Sequence, residues 1–107
     1  MVHIREERAS DIPLIRKVND LAFGREVEGQ LVDALRDAGA ATLSLVATEG
    51  DEVVGHILFS PVTIECQDGK LEALGLAPLA VLPSHQKKGI GKKLTQEGLK
   101  RLKELGA

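Results

Sequence analysis

The stretch richest in chemistry is Leu79-Ala80-Val81-Leu82-Pro83-Ser84-His85-Gln86-Lys87-Lys88-Gly89-Ile90-Gly91-Lys92. An apolar, strand-like run ends at Pro83, a polar turn follows, and two glycines open a helical pattern. A helix start carries unpaired backbone N–H groups and a partial positive charge, which suit a diphosphate. Gly89 and Gly91 offer backbone without side-chain obstruction, and Lys87, Lys88 and Lys92 add charge around it. The same residues also satisfy a plain strand-to-helix turn, so spacing alone leaves both readings open. Two other glycine motifs fail. A P-loop needs Gly where Gln86 stands and Ser or Thr where Lys93 stands. The dinucleotide fingerprint needs a third Gly at the position of Leu94.

The remaining reactive side chains are scattered. Cys66 is the only cysteine, so it forms no internal disulfide and no zinc cluster by itself, and its residue type fits a small buried apolar group. His3, His56 and His85 show no metal spacing, and no metal is expected. His56 reads as a structural strand histidine, and His85 stands beside the two-glycine loop. Charge is uneven. Seven basic residues and two acids fall between Gln86 and Leu105, although acids outnumber bases, 16 to 14, over the chain. A basic end on an acidic body indicates a local anion site and argues against a nucleic-acid coat. Lys100, Arg101 and Lys103 fit a solvated helix face. Met1 to Asp11 lacks the apolar stretch of a signal peptide, and no apolar run reaches membrane-spanning length, so the cytoplasm is expected.

At 107 residues, one domain must position that loop. Val2 to Arg5 alternates and predicts a first strand. Ser10 or Asp11 can cap a helix with Pro13 in its first turn and Ile12, Ile15, Val18, Leu21 and Ala22 at helical spacing. A second helix is predicted from Glu26 to Asp37, with Val27, Leu31, Ala34 and Leu35 on its apolar side and Gly39 beyond its end. Leu43 to Thr48 and Val53 to Ser60 flank Glu49-Gly50-Asp51-Glu52, a hairpin signal. The second of these strands continues to Glu65. Asp68-Gly69 turns the chain again, and Leu71 to Leu82 returns antiparallel, with a bulge or an unpaired side expected at Pro78. Gly89 to Leu105 is amphipathic, with Ile90, Leu94, Gly98, Leu102 and Leu105 along its inner face. Phe23 and Phe59 are the only aromatics, so aliphatic residues must fill the core.

Gln86-Lys87-Lys88-Gly89-Ile90-Gly91 resembles the Gln/Arg-x-x-Gly-x-Gly/Ala signature of the GNAT N-acetyltransferase superfamily. Leu79-Ala80-Val81 and Pro83 look like that family's fourth strand and its exit, and the element order from Val2 to Leu105 is similar to its amino-terminal half. The resemblance implies an α/β fold: a mixed, mainly antiparallel sheet flanked by helices. Residues 1–107 would form a single domain cut short at its carboxy terminus, its last strands missing. It implies acetyl-CoA as cosubstrate, with backbone of Leu79, Ala80 and Val81 pairing with the pantetheine arm. Amides from Gln86, Lys87, Lys88, Gly89, Ile90, Gly91 and Lys92 would grip the pyrophosphate.

An amide near Val81 would stabilise the oxyanion formed when a substrate amine attacks the thioester directly. Arg25, Glu26 and Glu28 lie where the family's first two helices border the acceptor. The family's frequent glutamate base has Gly75 in its place, which leaves Glu72 as the nearest carboxylate on that strand. The usual tyrosine acid has no counterpart, because the chain contains no tyrosine. Two further readings stay open: a non-catalytic CoA-binding module, and a structural fragment completed by another chain. Self-association or a complementing carboxy-terminal chain is expected at the strand edge, and neither nucleic acid nor membrane is expected as a partner.

Overall fold

The computed structural model describes residues 2–39, 43–66 and 69–104, with backbone only for 61–66 and 69–77. Alternation in Val2–Glu6 produces β1. After a 3-10 turn at Ala9–Asp11, α1 spans Ile12–Phe23 and α2 spans Val27–Asp37. Asp11 stands at the start of α1 but does not cap it. Its carboxylate turns back to accept from Arg8 N–H (2.7 Å) and from Arg5 (2.7 and 3.1 Å), and the Arg5 guanidinium holds Asp11 below the usual carboxylate range. Gly24 ends α1 in the left-handed region at φ 68°, its N–H on Asp20 O at 2.9 Å.

Strand β2 (Leu43–Glu49) turns through Gly50 into β3 (Glu52–Cys66), and β4 is Gly69–Val81. The sheet order is β1-β2-β3-β4, and all four described strands are antiparallel. Ile57 pairs with Leu79 while Phe59 pairs with Leu76, so Ala77 and Pro78 together face the single residue Leu58. The bulge expected at Pro78 is therefore present. It removes the mismatch between a missing N–H and a continuous ladder.

Helices cover both faces. On one, Ile90, Leu94 and Leu102 of α3 (Ile90–Glu104) bury against Leu45, Ile57 and Phe59. Gly98 brings α3 close to Phe59: a Cβ there would lie 2.4 Å from the ring. On the other face, Ile15, Val18 and Val32 meet Val46, Val53, Leu58 and Ala80.

The apolar face expected for α2 is rotated, and of its four residues only Leu35 packs against the core. Gly29 and Val32 are buried, whereas Val27 and Leu31 are 61% and 43% exposed and Ala34 also lies outside. The cause is Gly29, which contributes no apolar side chain to a periodicity count. A Cβ there would sit 2.5 Å from Arg16 Cδ and Asp20 Oδ1. Its absence lets Arg16 lie between the helices, donating to Asp20 at 3.1 Å and Asp33 at 2.9 Å. Leu21, expected inside, is likewise exposed.

Candidate active site

Strand β4 is an edge of the described sheet. Alternation along it turns Ala80 toward α1 and α2, where it is buried, and packs Leu79 and Val81 against the α3 side. The last sheet bond runs from Leu82 N–H to Val54 O at 2.9 Å. Pro83–His85 then forms a 3-10 turn, and the extended Gln86 reaches back, its Nε2 donating to Val81 O at 3.0 Å. The Gln86 side chain thus ties the loop to the exit of β4.

Lys87 has φ 65° and Gly89 φ 80°, both left-handed, before α3 begins at Ile90. The first helical bond is Lys93 N–H to Gly89 O at 3.0 Å. The N–H groups of Ile90, Gly91 and Lys92 precede it in the first turn, where an α-helix supplies no acceptor of its own. The two glycines differ. A Cβ on Gly89 would meet nothing within 4 Å, so space is open there. A Cβ on Gly91 would face the sheet, 3.6 Å from Leu79 and 3.9 Å from Val81.

Ile90 buries its side chain in the core, so only its backbone belongs to the loop. Lys87, Lys88 and Lys92 are exposed around the opening. An open left-handed glycine, a free first turn and three flanking cations together fit an anionic diphosphate. His85 turns aside: Nδ1 lies 2.8 Å from Ser84 Oγ and Nε2 3.6 Å from Glu49 Oε1.

The other candidates lie apart. The exposed Arg25 donates to Glu28 at 2.8 Å, and that bond holds the half-buried Glu28 low while raising Arg25. Glu26 is exposed, 4.0 Å from Arg16. These three sit on the α1–α2 junction and pair within that layer. Glu72 stands opposite Thr63 in the ladder, and its side chain, like those of Cys66 and Leu76, lies outside the described residues. Among the described residues no His, Cys, Asp and Glu cluster could hold a metal, and no helix is long and apolar enough to cross a membrane.

Sequence reasoning missed a buried polar line. Asn19 and His56 are fully buried, and Asn19 Nδ2 lies 3.3 Å from His56 Nδ1. His56 Nε2 lies 2.8 Å from Ser44 Oγ, which also meets Glu7, and Glu7 accepts from Arg36 at 2.7 and 3.1 Å. Burial pushes His56 down to about 4, so the ring is neutral near pH 7. Burial would raise Glu7, but bonds from Arg36 and Ser44 outweigh it and hold the carboxylate low. The available signal was a histidine inside the otherwise apolar run Val53-Val54-Gly55-His56-Ile57-Leu58-Phe59.

An antiparallel sheet between helix layers, with a two-glycine loop after its edge strand, is the arrangement that the comparisons also find. The chain belongs to the GNAT acetyltransferase family: residues 3–107 match the Acetyltransferase (GNAT) domain. It is similar to YhbS of Escherichia coli strain K12, described as an uncharacterized N-acetyltransferase, at 39% identity over 104 residues, covering 96% of this chain and 61% of that protein. The chain therefore spans about three-fifths of the length of that curated relative. Its fold superposes on a GNAT family acetyltransferase from Brucella melitensis solved with acetyl-CoA (TM-score 0.92, 48% identity, 100% of this chain and 71% of that one). It also superposes on E. coli YhbS solved with CoA (TM-score 0.88, 39% identity, 98% and 58%).

Proposed function

We propose that the chain binds acetyl-CoA and forms part of an enzyme that transfers its acetyl group to an amine. The observation that carries this reading is the loop from Gln86 to Lys92, with left-handed Gly89 in open space and the free first turn of α3. In this reading the amides of Lys87 to Lys92 hold the diphosphate and the lysines add charge. Backbone of Leu79, Ala80 and Val81 pairs with the pantetheine arm along the β4 edge, as a further strand would. Relatives solved with acetyl-CoA and CoA support the choice of ligand. Acetyl-CoA supplies the activated acyl group. The chain's own residues orient it, and a backbone N–H near Val81 polarises the carbonyl.

Direct attack by the amine requires no protein nucleophile, so Cys66 has no covalent role in it. Glu72 remains the candidate base, and Arg25, Glu26 and Glu28 the candidate acceptor border. Residues 1–107 act as one domain, and the β4 edge takes either a second copy or a complementing chain.

Titration calorimetry with CoA tests the reading. Gly89→Glu puts bulk and negative charge into the opening and is expected to weaken binding at least about tenfold, about 1.4 kcal/mol. Unchanged affinity would sink the site. Turnover against a panel of amines then separates an enzyme from a CoA-binding module.

A further inference from the structure

Arg36 of α2, Glu7 after β1, Ser44 of β2, His56 of β3 and Asn19 of α1 form one hydrogen-bonded line through five parts of the chain. Counting donors gives the line a direction. Ionised Glu7 offers only lone pairs, so the Ser44 hydroxyl donates to it. The Ser44 oxygen must then accept, which puts the His56 proton on Nε2. His56 Nδ1 keeps a lone pair that faces Asn19 Nδ2, whose other hydrogen goes to Ile15 O at 2.9 Å. Among the described residues Asn19 Oδ1 has no partner. Stability alone does not call for such a line, since apolar side chains of equal volume avoid both the desolvation and the unpaired oxygen. What it defines is relative position, because each link holds only in one arrangement of the elements.

His56 stands directly opposite Ala80 of the edge strand in the β3–β4 register. The line's other ends grip α1 and α2, whose junction carries Arg25, Glu26 and Glu28. We propose that His56 is a positioning residue for the acceptor border at the α1–α2 junction, fixing α1 through Asn19 and α2 through Ser44 and Glu7 beside the strand that presents Ala80. The word acceptor rests on the acetyltransferase reading above; the fixing of the helices does not.

Hydrogen–deuterium exchange on the 107-residue chain tests it, with His56→Gln and His56→Leu as variants. A glutamine can donate to Ser44 and accept from Asn19, whereas a leucine fills volume and does neither. The hydrogen-bonded amides that flank the junction, 19–24 of α1 and 30–38 of α2, are expected to exchange about tenfold faster in His56→Leu, with His56→Gln staying within about threefold of the parent and α3 little changed. Equal protection in the two variants, or a loss spread evenly over α3 and the sheet, overturns the proposal in favour of packing alone. Ser44→Ala leaves the ring in place and is expected to loosen α2 more than α1, so an unchanged α2 would also count against it. In the parent, ¹⁵N shifts should show the His56 proton on Nε2, and a proton on Nδ1 would contradict the line. CoA calorimetry on the same samples separates the two readings. CoA affinity unchanged in His56→Leu with a loosened junction is the expected result. A parent chain that binds no CoA removes the acceptor role and leaves exchange to decide whether the helices are fixed.

Discussion

Gly89 and Gly91 stand two residues apart in one motif, yet their backbones ask for different things. At φ 80° Gly89 holds a conformation that costs an alanine about 1–2 kcal/mol, although its Cβ would touch nothing. Gly91 lies in the first turn of α3 without positive φ, and its Cβ would meet Leu79 and Val81 at ordinary distances. Urea denaturation should therefore show Gly89→Ala losing about 1 kcal/mol and Gly91→Ala losing nothing or gaining up to about 0.5 kcal/mol from helix propensity. Equal losses would mean the loop is not held as described. His56 makes a second prediction at this scale. Its folded value of about 4 lies below the ordinary 6.5, so between those values the unfolded chain binds the extra proton. The stability from the neutral ring is then full above about pH 6.5 and drains away as pH falls toward 4, by roughly 3 kcal/mol. Glu7, held low by its partners, adds a further loss below its own unfolded range. Denaturation midpoints of His56→Gln should fall less steeply between pH 6.5 and 4.5, and parallel curves would count against a neutral buried ring.

Among the elements, α3 shows the closest packing. Gly98 faces Phe59, so Gly98→Ala brings a carbon to 2.4 Å from the ring. The gain in helix propensity, about 1 kcal/mol, is outweighed by overpacking, and we expect a net loss of about 1–2 kcal/mol in thermal denaturation. A stabilised variant would show that Phe59 yields easily. The α3 stripe of Ile90, Leu94, Gly98 and Leu102 was legible in the sequence because each position lies on one helical face and all four are buried. The hairpin and the Pro78 bulge were legible for the same kind of reason, a local rule with a local cause. The buried face of α2 was not, because Gly29 is silent in any apolar count while Val27 and Leu31 are loud. Nor was the polar line, whose links join residues 12 to 37 apart in sequence. Of the site, the loop could be read from its glycines and lysines. The tie from Gln86 to Val81 could not, since it depends on how the 3-10 turn folds back.

For the whole molecule, β4 is an unpaired edge among the described residues, and Leu14, Leu21, Phe23, Val27 and Leu31 leave apolar surface on the α1–α2 layer. Such surfaces favour association. Sedimentation velocity at micromolar concentration is expected to show species larger than the 107-residue monomer, with a single monomeric boundary as the contrary result. The bulge at Ala77 and Pro78 bears on the same edge through simple parity. A strand assigns its side chains to two faces by odd and even count, and one extra residue resets that count. Ile57 and Phe59 both belong to the α3 side, yet their partners Leu79 and Leu76 are three positions apart, an odd interval that only the bulge reconciles. Substituting Pro78 by valine preserves the count. Deleting it leaves Leu76 and Leu79 two positions apart, the same even interval as Phe59 and Ile57, so a regular ladder can close with Ala77 opposite Leu58, and both the register back to Gly69 and the faces of Leu79, Ala80 and Val81 are kept. The edge strand behaves like a reading frame that carries one spare letter: tolerant at this point of a change, and tolerant of a loss as well.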